Sequence, residues 1–221
     1  MRFPNDTQRH AIVGATGSGK TQAALYHLSG RSYDIQPWII YDFKYDEAIN
    51  EISGAIEIDV KGKIPEKPGI YIVHPHPAQS QEVDNQLWQI WEQENTGVYI
   101  DEGYMIGNNS GAFRALLTQG RSKHIPIITL SQRPTWIDRF ILSESEYHQV
   151  FRLQHRKDLD TVNEFIPHKL KDEDNRPIRL PDYHSWYYDV GADELIVAKP
   201  VPDIKKILST FAARMPTQTS I

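Results

Sequence analysis

The run over residues 10–28, HAIVGATGSGKTQAALYHL, constrains the fold more than any other stretch of the chain. An apolar burst, Ala11-Ile12-Val13, ends abruptly in Gly14-Ala15-Thr16-Gly17-Ser18-Gly19-Lys20-Thr21. Ala24, Leu25 and Leu28 follow at the spacing of one helix face. Strand, glycine loop and helix is the setting in which the P-loop pattern G-x-x-x-x-G-K-[ST] has physical meaning, and every fixed position is filled. Gly17 and Gly19 admit backbone angles that a side chain forbids, so successive N–H groups can turn inward around phosphate oxygens. The start of the following helix adds a positive field. Lys20 is placed to reach β- and γ-phosphates, and the Thr21 hydroxyl to ligate Mg²⁺. The spacing is not the dinucleotide G-x-G-x-x-G, so the predicted ligand is a nucleoside triphosphate.

A chain of 221 residues is long enough for a full core and predicts one domain over 1–221. It has no cysteine, which excludes a disulfide framework and a cysteine-based zinc site and is compatible with a reducing cytoplasm. The first residues carry no apolar signal-peptide core, and no stretch reaches membrane-spanning length. A formal charge of −5 argues against a surface that coats nucleic acid everywhere, while leaving room for a local basic loop.

A second landmark is Val98-Tyr99-Ile100-Asp101-Glu102, a short apolar strand ending in adjacent carboxylates. Beside a P-loop this is the Walker B arrangement. Asp101 holds Mg²⁺ through water, and Glu102 polarises the attacking water as general base. A glutamate next to the metal aspartate points to hydrolysis rather than small-molecule phosphorylation, and no N-K-x-D guanine-reading string is present. The strand Ile125-Pro126-Ile127-Ile128-Thr129-Leu130 closes on Ser131-Gln132-Arg133-Pro134, which makes Gln132 the candidate γ-phosphate sensor. Arg121 precedes that strand, at the end away from the chain's own nucleotide, where it can serve a neighbour's. On spacing alone, a capping glutamine and a solvent-facing arginine are the simpler readings.

Elsewhere, Trp38-Ile39-Ile40-Tyr41 reads as a buried strand ending at Asp42-Phe43-Lys44. Strand ends in open α/β sheets face the ligand crevice. Asp42 and Lys44 therefore belong near the nucleotide, at a subunit boundary, or in a strand-end salt bridge. Ile56-Glu57-Ile58 and Ile70-Tyr71-Ile72-Val73 read as peripheral strands. His74-Pro75-His76-Pro77 reads as a stiff structural loop rather than a metal pair. Val83, Leu87, Ile90 and Trp91 form a helix stripe, as do Phe113, Leu116 and Leu117.

Taken together, GATGSGKT, YDFK, VYIDE and GRSKHIPIITLSQRP resemble the FtsK–HerA superfamily of DNA-translocating ATPases from about residue 9 to 165. The chain departs from that pattern at Phe43, where the family has proline, and at His124, where a glycine usually precedes the fourth strand. The role of Lys44 and the backbone setting of Arg121 are therefore left to the structure. The resemblance implies an α/β P-loop NTPase of the additional-strand, catalytic-glutamate (RecA-like) type, with a mainly parallel sheet flanked by helices. Its core spans about 9–166.

A core this small is most similar to genome-packaging ATPases of tailless, membrane-containing double-stranded DNA viruses. That similarity implies ATP and Mg²⁺ as cofactors, a homo-oligomeric, hexameric ring, and double-stranded DNA as the moved polymer. It also implies capsid vertex or portal proteins as partners, the viral membrane reached only through them, and action in host cytoplasm and at the virion packaging vertex. A zonula-occludens-toxin-like assembly ATPase, handling single-stranded DNA or coat protein, is the alternative, with a non-motor P-loop kinase more remote.

In the last third, Gln149-Val150-Phe151-Arg152-Leu153 reads as a core strand, and Leu159, Val162 and Phe165 as a helix stripe. Residues 172–181 read as a charged, proline-broken loop. Arg133, Arg139, Arg156, Lys157, Lys169 and Lys171 concentrate here, and by resemblance such loops line a DNA pore; a solvated mixed-charge face is the equal alternative. A hairpin over Trp186-Tyr187-Tyr188 and Glu194-Leu195-Ile196-Val197 and a helix bearing Ile204, Ile207, Leu208 and Phe211 complete the chain over about 182–215. That helix has three open destinations, namely its own core, a neighbouring subunit, or a portal or membrane partner. Residues from Met215 onward read as a tail.

Overall fold

The computed structural model describes residues 2–106, 110–168, 170–174 and 176–215. In chain order its elements are β1 (Arg9–Val13), α1 (Lys20–Ser29), β2 (Pro37–Asp42), α2 (Glu47–Asn50), β3 (Ile56–Glu57), β4 (Gly69–Val73), α3 (Ser80–Gln93) and β5 (Gly97–Asp101). Then follow α4 (Gly111–Gln119), β6 (Ile127–Ser131), α5 (Arg139–Ser143), β7 (Tyr147–Val150), α6 (Arg156–Asn163), β8 (Ser185–Asp189), β9 (Glu194–Ala198) and α7 (Ile204–Arg214).

All strands share one nine-stranded sheet in the order β3-β4-β2-β5-β6-β1-β7-β8-β9. From β3 to β7 every pairing is parallel, and β8 and β9 add an antiparallel hairpin at one side. Parallel strands covered on both faces read as continuous apolar runs, which is why Ala11-Ile12-Val13 and Trp38-Ile39-Ile40-Tyr41 lack alternation. Their side chains nevertheless divide by parity. Ile39, Tyr41, Val98 and Ile100 face one core, while Ile12, Trp38, Ile40 and Tyr99 face the other with Ala24, Leu25 and Leu28 of α1. Because β6 stands between β1 and β5, the topology is the additional-strand, catalytic-glutamate class.

Three sequence expectations are corrected. Gly69–Val73 is not peripheral, since β4 pairs with β2 on one side and the two-residue β3 on the other. β7 stops at Val150, two residues after which the Arg152 carbonyl is engaged by the P-loop. Phe165 lies past the end of α6. The terminal helix takes the first of its three destinations. Ile207 and Phe211 of α7 are buried in the α1-side core, with Phe211 and Tyr33 ring centroids 5.5 Å apart. Arg214 donates to the carbonyls of Ser29 (2.6 Å) and Arg31 (2.9 Å), placing a cation at the C-terminal end of α1. Residues beyond Met215, where the tail was expected, lie outside the described residues.

Candidate active site

The site forms along the carboxyl ends of β2, β5, β6 and β1. β1 ends in Gly14, whose N–H donates to Ser131 O at 3.1 Å; a Cβ here would stand 2.5 Å from Phe151 Cβ. The first glycine of the pattern is thus a close-packing glycine. Gly17 (φ +72°) and Gly19 (φ +98°) instead supply left-handed backbone. The helix α4 is capped by Ser110 Oγ, which accepts from Phe113 N at 2.9 Å, and α7 by Asp203, which accepts from Lys205 N at 2.9 Å. α1 begins at Gly19 with no side-chain cap. Among the described residues no side chain caps its first N–H groups, a helix start of the kind suited to an anion.

Lys20 opens α1, buried, with Nζ folded back onto Ala15 O at 2.9 Å. Burial lowers its ammonium to about 8, opposed by the Glu102 carboxylate and reinforced by Lys44. Thr21 follows on the same first turn. Thr16 Oγ1 donates to Gln132 Oε1 at 2.8 Å, so the proposed sensor rests directly on the loop it would sense.

Asp101 ends β5 in register with Asp42 at the end of β2. Adjacent residues in a strand face opposite ways, yet both Asp101 and Glu102 are needed at one site. The chain solves this with a left-handed turn, Glu102 lying at φ +82°. Such an outlier in a non-glycine residue costs about 1–3 kcal/mol and persists only where the surroundings fix it. The next residue must be small, because a Cβ on Gly103 would stand 2.6 Å from Thr129 Cγ2. Glu102 is thereby aimed toward β6, with Oε2 accepting from Gln132 N at 3.3 Å and Oε1 paired with Lys44 Nζ.

Lys44 is thus placed beside Glu102. Of its three readings the structure shows the strand-end salt bridge, to Glu102 on the neighbouring strand's end, and Phe43 does not prevent it. Asp42 accepts from the N–H groups of Lys44 (3.1 Å) and Asp46 (2.9 Å), so it shapes the turn that delivers Lys44. His74 spends its ring nitrogens on Asp42 O (3.3 Å) and Asn50 Oδ1 (3.1 Å) and stacks on Tyr45.

Asp101 is 2% exposed, and its Oδ2 has no hydrogen-bond partner among the described residues. Burial raises its carboxyl to about 7, with Lys44 opposing and Glu102 reinforcing. A buried oxygen without a partner, beside a threonine-led helix start, fits a hard divalent cation, and the oxygen donors suit Mg²⁺.

Arg121 lies at the opposite end of β6, exposed, in the 3₁₀ turn Gly120–Lys123. His124 closes that turn at φ 55°, ψ 44°. It adopts the left-handed conformation that a glycine would take there, so the backbone setting of Arg121 survives the substitution. Five residues of β6, roughly 16 Å of strand, separate it from the loop end.

Several basic residues of the last third are committed within the chain. Arg133 Nε lies 2.7 Å from Asp158 Oδ2, Arg139 pairs with Glu164, and Lys171 pairs with Asp160. Arg156 and Lys157 are exposed in the first turn of α6, and Lys169 lies outside the described residues. Residues 177–184, read from sequence as part of a charged loop and its continuation, instead wall a cleft of about 610 Å³ over Gly17 and Ser18. No local periodicity announces such a contact.

No protein-family model matches the chain. It is 46% identical over 216 residues to the DNA packaging ATPase P9 of enterobacteria phage PRD1, covering 96% of this chain and 95% of that one. The genome packaging NTPase B204 of Sulfolobus turreted icosahedral virus 2, solved with AMPPCP, superposes with a TM-score of 0.65 at 16% identity, over 90% of this chain and 100% of B204. The N-terminal domain of zonular occludens toxin from Neisseria meningitidis has a TM-score of 0.51 at 15% identity, over 91% of this chain and 97% of that domain. The two solved structures share the fold, which does not separate packaging from extrusion; the sequence relative does. The chain belongs to the DNA packaging ATPases, in the family of PRD1 P9.

Proposed function

We propose that this chain is a single P-loop domain that assembles into a homo-oligomeric ring, hexameric by family resemblance, and uses ATP and Mg²⁺ to drive double-stranded DNA into a capsid. It would act in the host cytoplasm and at the virion packaging vertex, against capsid vertex or portal proteins. Any viral membrane would be reached through such partners, since no helix among the described residues is long and apolar enough to cross one.

The observation that carries the reading is the convergence of Lys20, Lys44, Asp101, Glu102 and Gln132 in front of an uncapped α1. Backbone N–H groups of residues 14–21 cradle the phosphates, and Lys20 leaves Ala15 O to reach them. Thr21 and Asp101 would hold Mg²⁺, which would supply positive charge to offset that of the triphosphate. Glu102 accepts a proton from water as its oxygen bonds to the γ-phosphorus and the bond to the β-phosphate oxygen breaks. Gln132 reports on the γ-phosphate through Thr16. Arg121 completes a neighbour's site, stabilising charge in the transition state.

Glu102→Gln is expected to keep ATP affinity within about threefold while turnover drops by roughly 10²–10⁴-fold. Equilibrium binding and phosphate release check this, and full turnover by the variant refutes the assignment. Labelled phosphate appearing on any acceptor but water would favour the kinase reading instead.

A further inference from the structure

We propose that Tyr183, backed by Phe151, is the nucleobase site of the bound triphosphate. The proposal rests on the reading of residues 14–21 as an ATP site and specifies its nucleoside half. About half of the chain's aromatic side chains are buried, whereas Tyr183 is 60% exposed. It also sits at φ +61°, in a turn closed by His184 N donating to Pro181 O at 3.2 Å. A bulky residue at positive φ is uncommon, and one with its ring left in solvent gains little packing in return.

Its position supplies a reason. A Cβ on Gly19 would stand 3.3 Å from Tyr183 Cδ1 and 3.7 Å from Phe151 Cε1, so both rings lie against the same glycine of the phosphate loop. Tyr183 borders the cleft of about 610 Å³ over Gly17 and Ser18, and on its other side a recess of about 220 Å³ lined by Gly19, Gln22 and Lys199. A triphosphate held on the loop would have these rings within reach of its nucleoside half. The wall is fixed to the loop, because Ala15 N donates to Arg152 O at 2.8 Å and Phe151 N to Val13 O at 2.8 Å. An exposed ring held at the edge of the phosphate loop suits one face of a flat heterocycle, and stacking on an aromatic ring is worth about 5- to 100-fold in affinity.

The test compares Mg²⁺–ATP with Mg²⁺–tripolyphosphate, which has the phosphates and no base, by calorimetric titration. Tyr183→Ala is expected to weaken ATP about tenfold or more and leave tripolyphosphate unchanged, while Tyr183→Phe keeps the wild-type ATP affinity. An alanine variant that binds ATP as tightly as wild type, or loses both ligands equally, overturns the proposal. Wild-type protein that binds tripolyphosphate as tightly as ATP overturns the base site and leaves the phosphate site standing. Wild-type protein that binds neither removes the ATP reading beneath it.

Discussion

Asp101 lies buried at the end of β5, and that burial sets its titration. Its carboxyl titrates near 3.8 unfolded and near 7 folded. Between those values the folded chain keeps a proton that the unfolded chain has released. Stability from this group is therefore fully present below about pH 4, falls as pH rises to about 7, and stays low above. The ionised state costs on the order of 4 kcal/mol without a counter-cation. Asp101→Asn in EDTA should therefore raise Tm at pH 8 by about 3 °C or more, with the gain vanishing toward pH 4. Calorimetry across that range checks it, and a variant no more stable than wild type at pH 8 would contradict it. Turnover should be lost in the same variant, because an amide is a poor substitute for the metal carboxylate.

Where β1, α1 and β7 pack together, three histidines are buried. His10 lies 4.5 Å from His27, ring to ring, and His27 Nε2 is 3.0 Å from Gln149 Oε1. Burial lowers His27 and His148 to about 4 and His10 well below its ordinary value. Below 6.5 the unfolded chain takes up protons that the folded chain excludes, so this contribution is complete above pH 6.5 and lost as pH falls toward 4. The urea midpoint should drop steeply across that window, with up to about three protons taken up on unfolding, and His148→Leu should remove about one. A flat profile would count against the cluster.

Legibility followed locality at this same scale. β1, its loop and α1 are contiguous, so glycine chemistry and 3.6-residue spacing made them readable, as an apolar strand and two carboxylates did for β5. The Lys44–Glu102 pair, the seat of Tyr183 on Gly19 and the docking of α7 on α1 each join residues far apart in sequence, and no period encodes them. β4 was misplaced because a short apolar run between glycine and proline does not say how deep in a sheet it lies.

At the scale of the molecule, Arg121 and the chain's own P-loop lie at opposite ends of β6, so a lone subunit cannot use its own arginine. Turnover per subunit should rise steeply with protein concentration and be stimulated by linear double-stranded DNA. A rate linear in protein and indifferent to DNA would leave the phosphate chemistry standing and remove the ring. Mixing Arg121→Ala with Lys20→Ala subunits should restore some activity, since a few interfaces then combine an intact loop with an intact arginine. No rescue in a mixed ring shown to assemble would refute the trans role.

β6 itself has a mechanical consequence. It is hydrogen-bonded on both sides in the middle of the sheet, and a strand so held does not stretch. Gln132 follows one end and Arg121 precedes the other, so in the proposed ring the strand would join one subunit's γ-phosphate to its neighbour's site. The strand would then serve as a connecting rod. Successive subunits would then fire in order, each stroke timed by the state of the one before it.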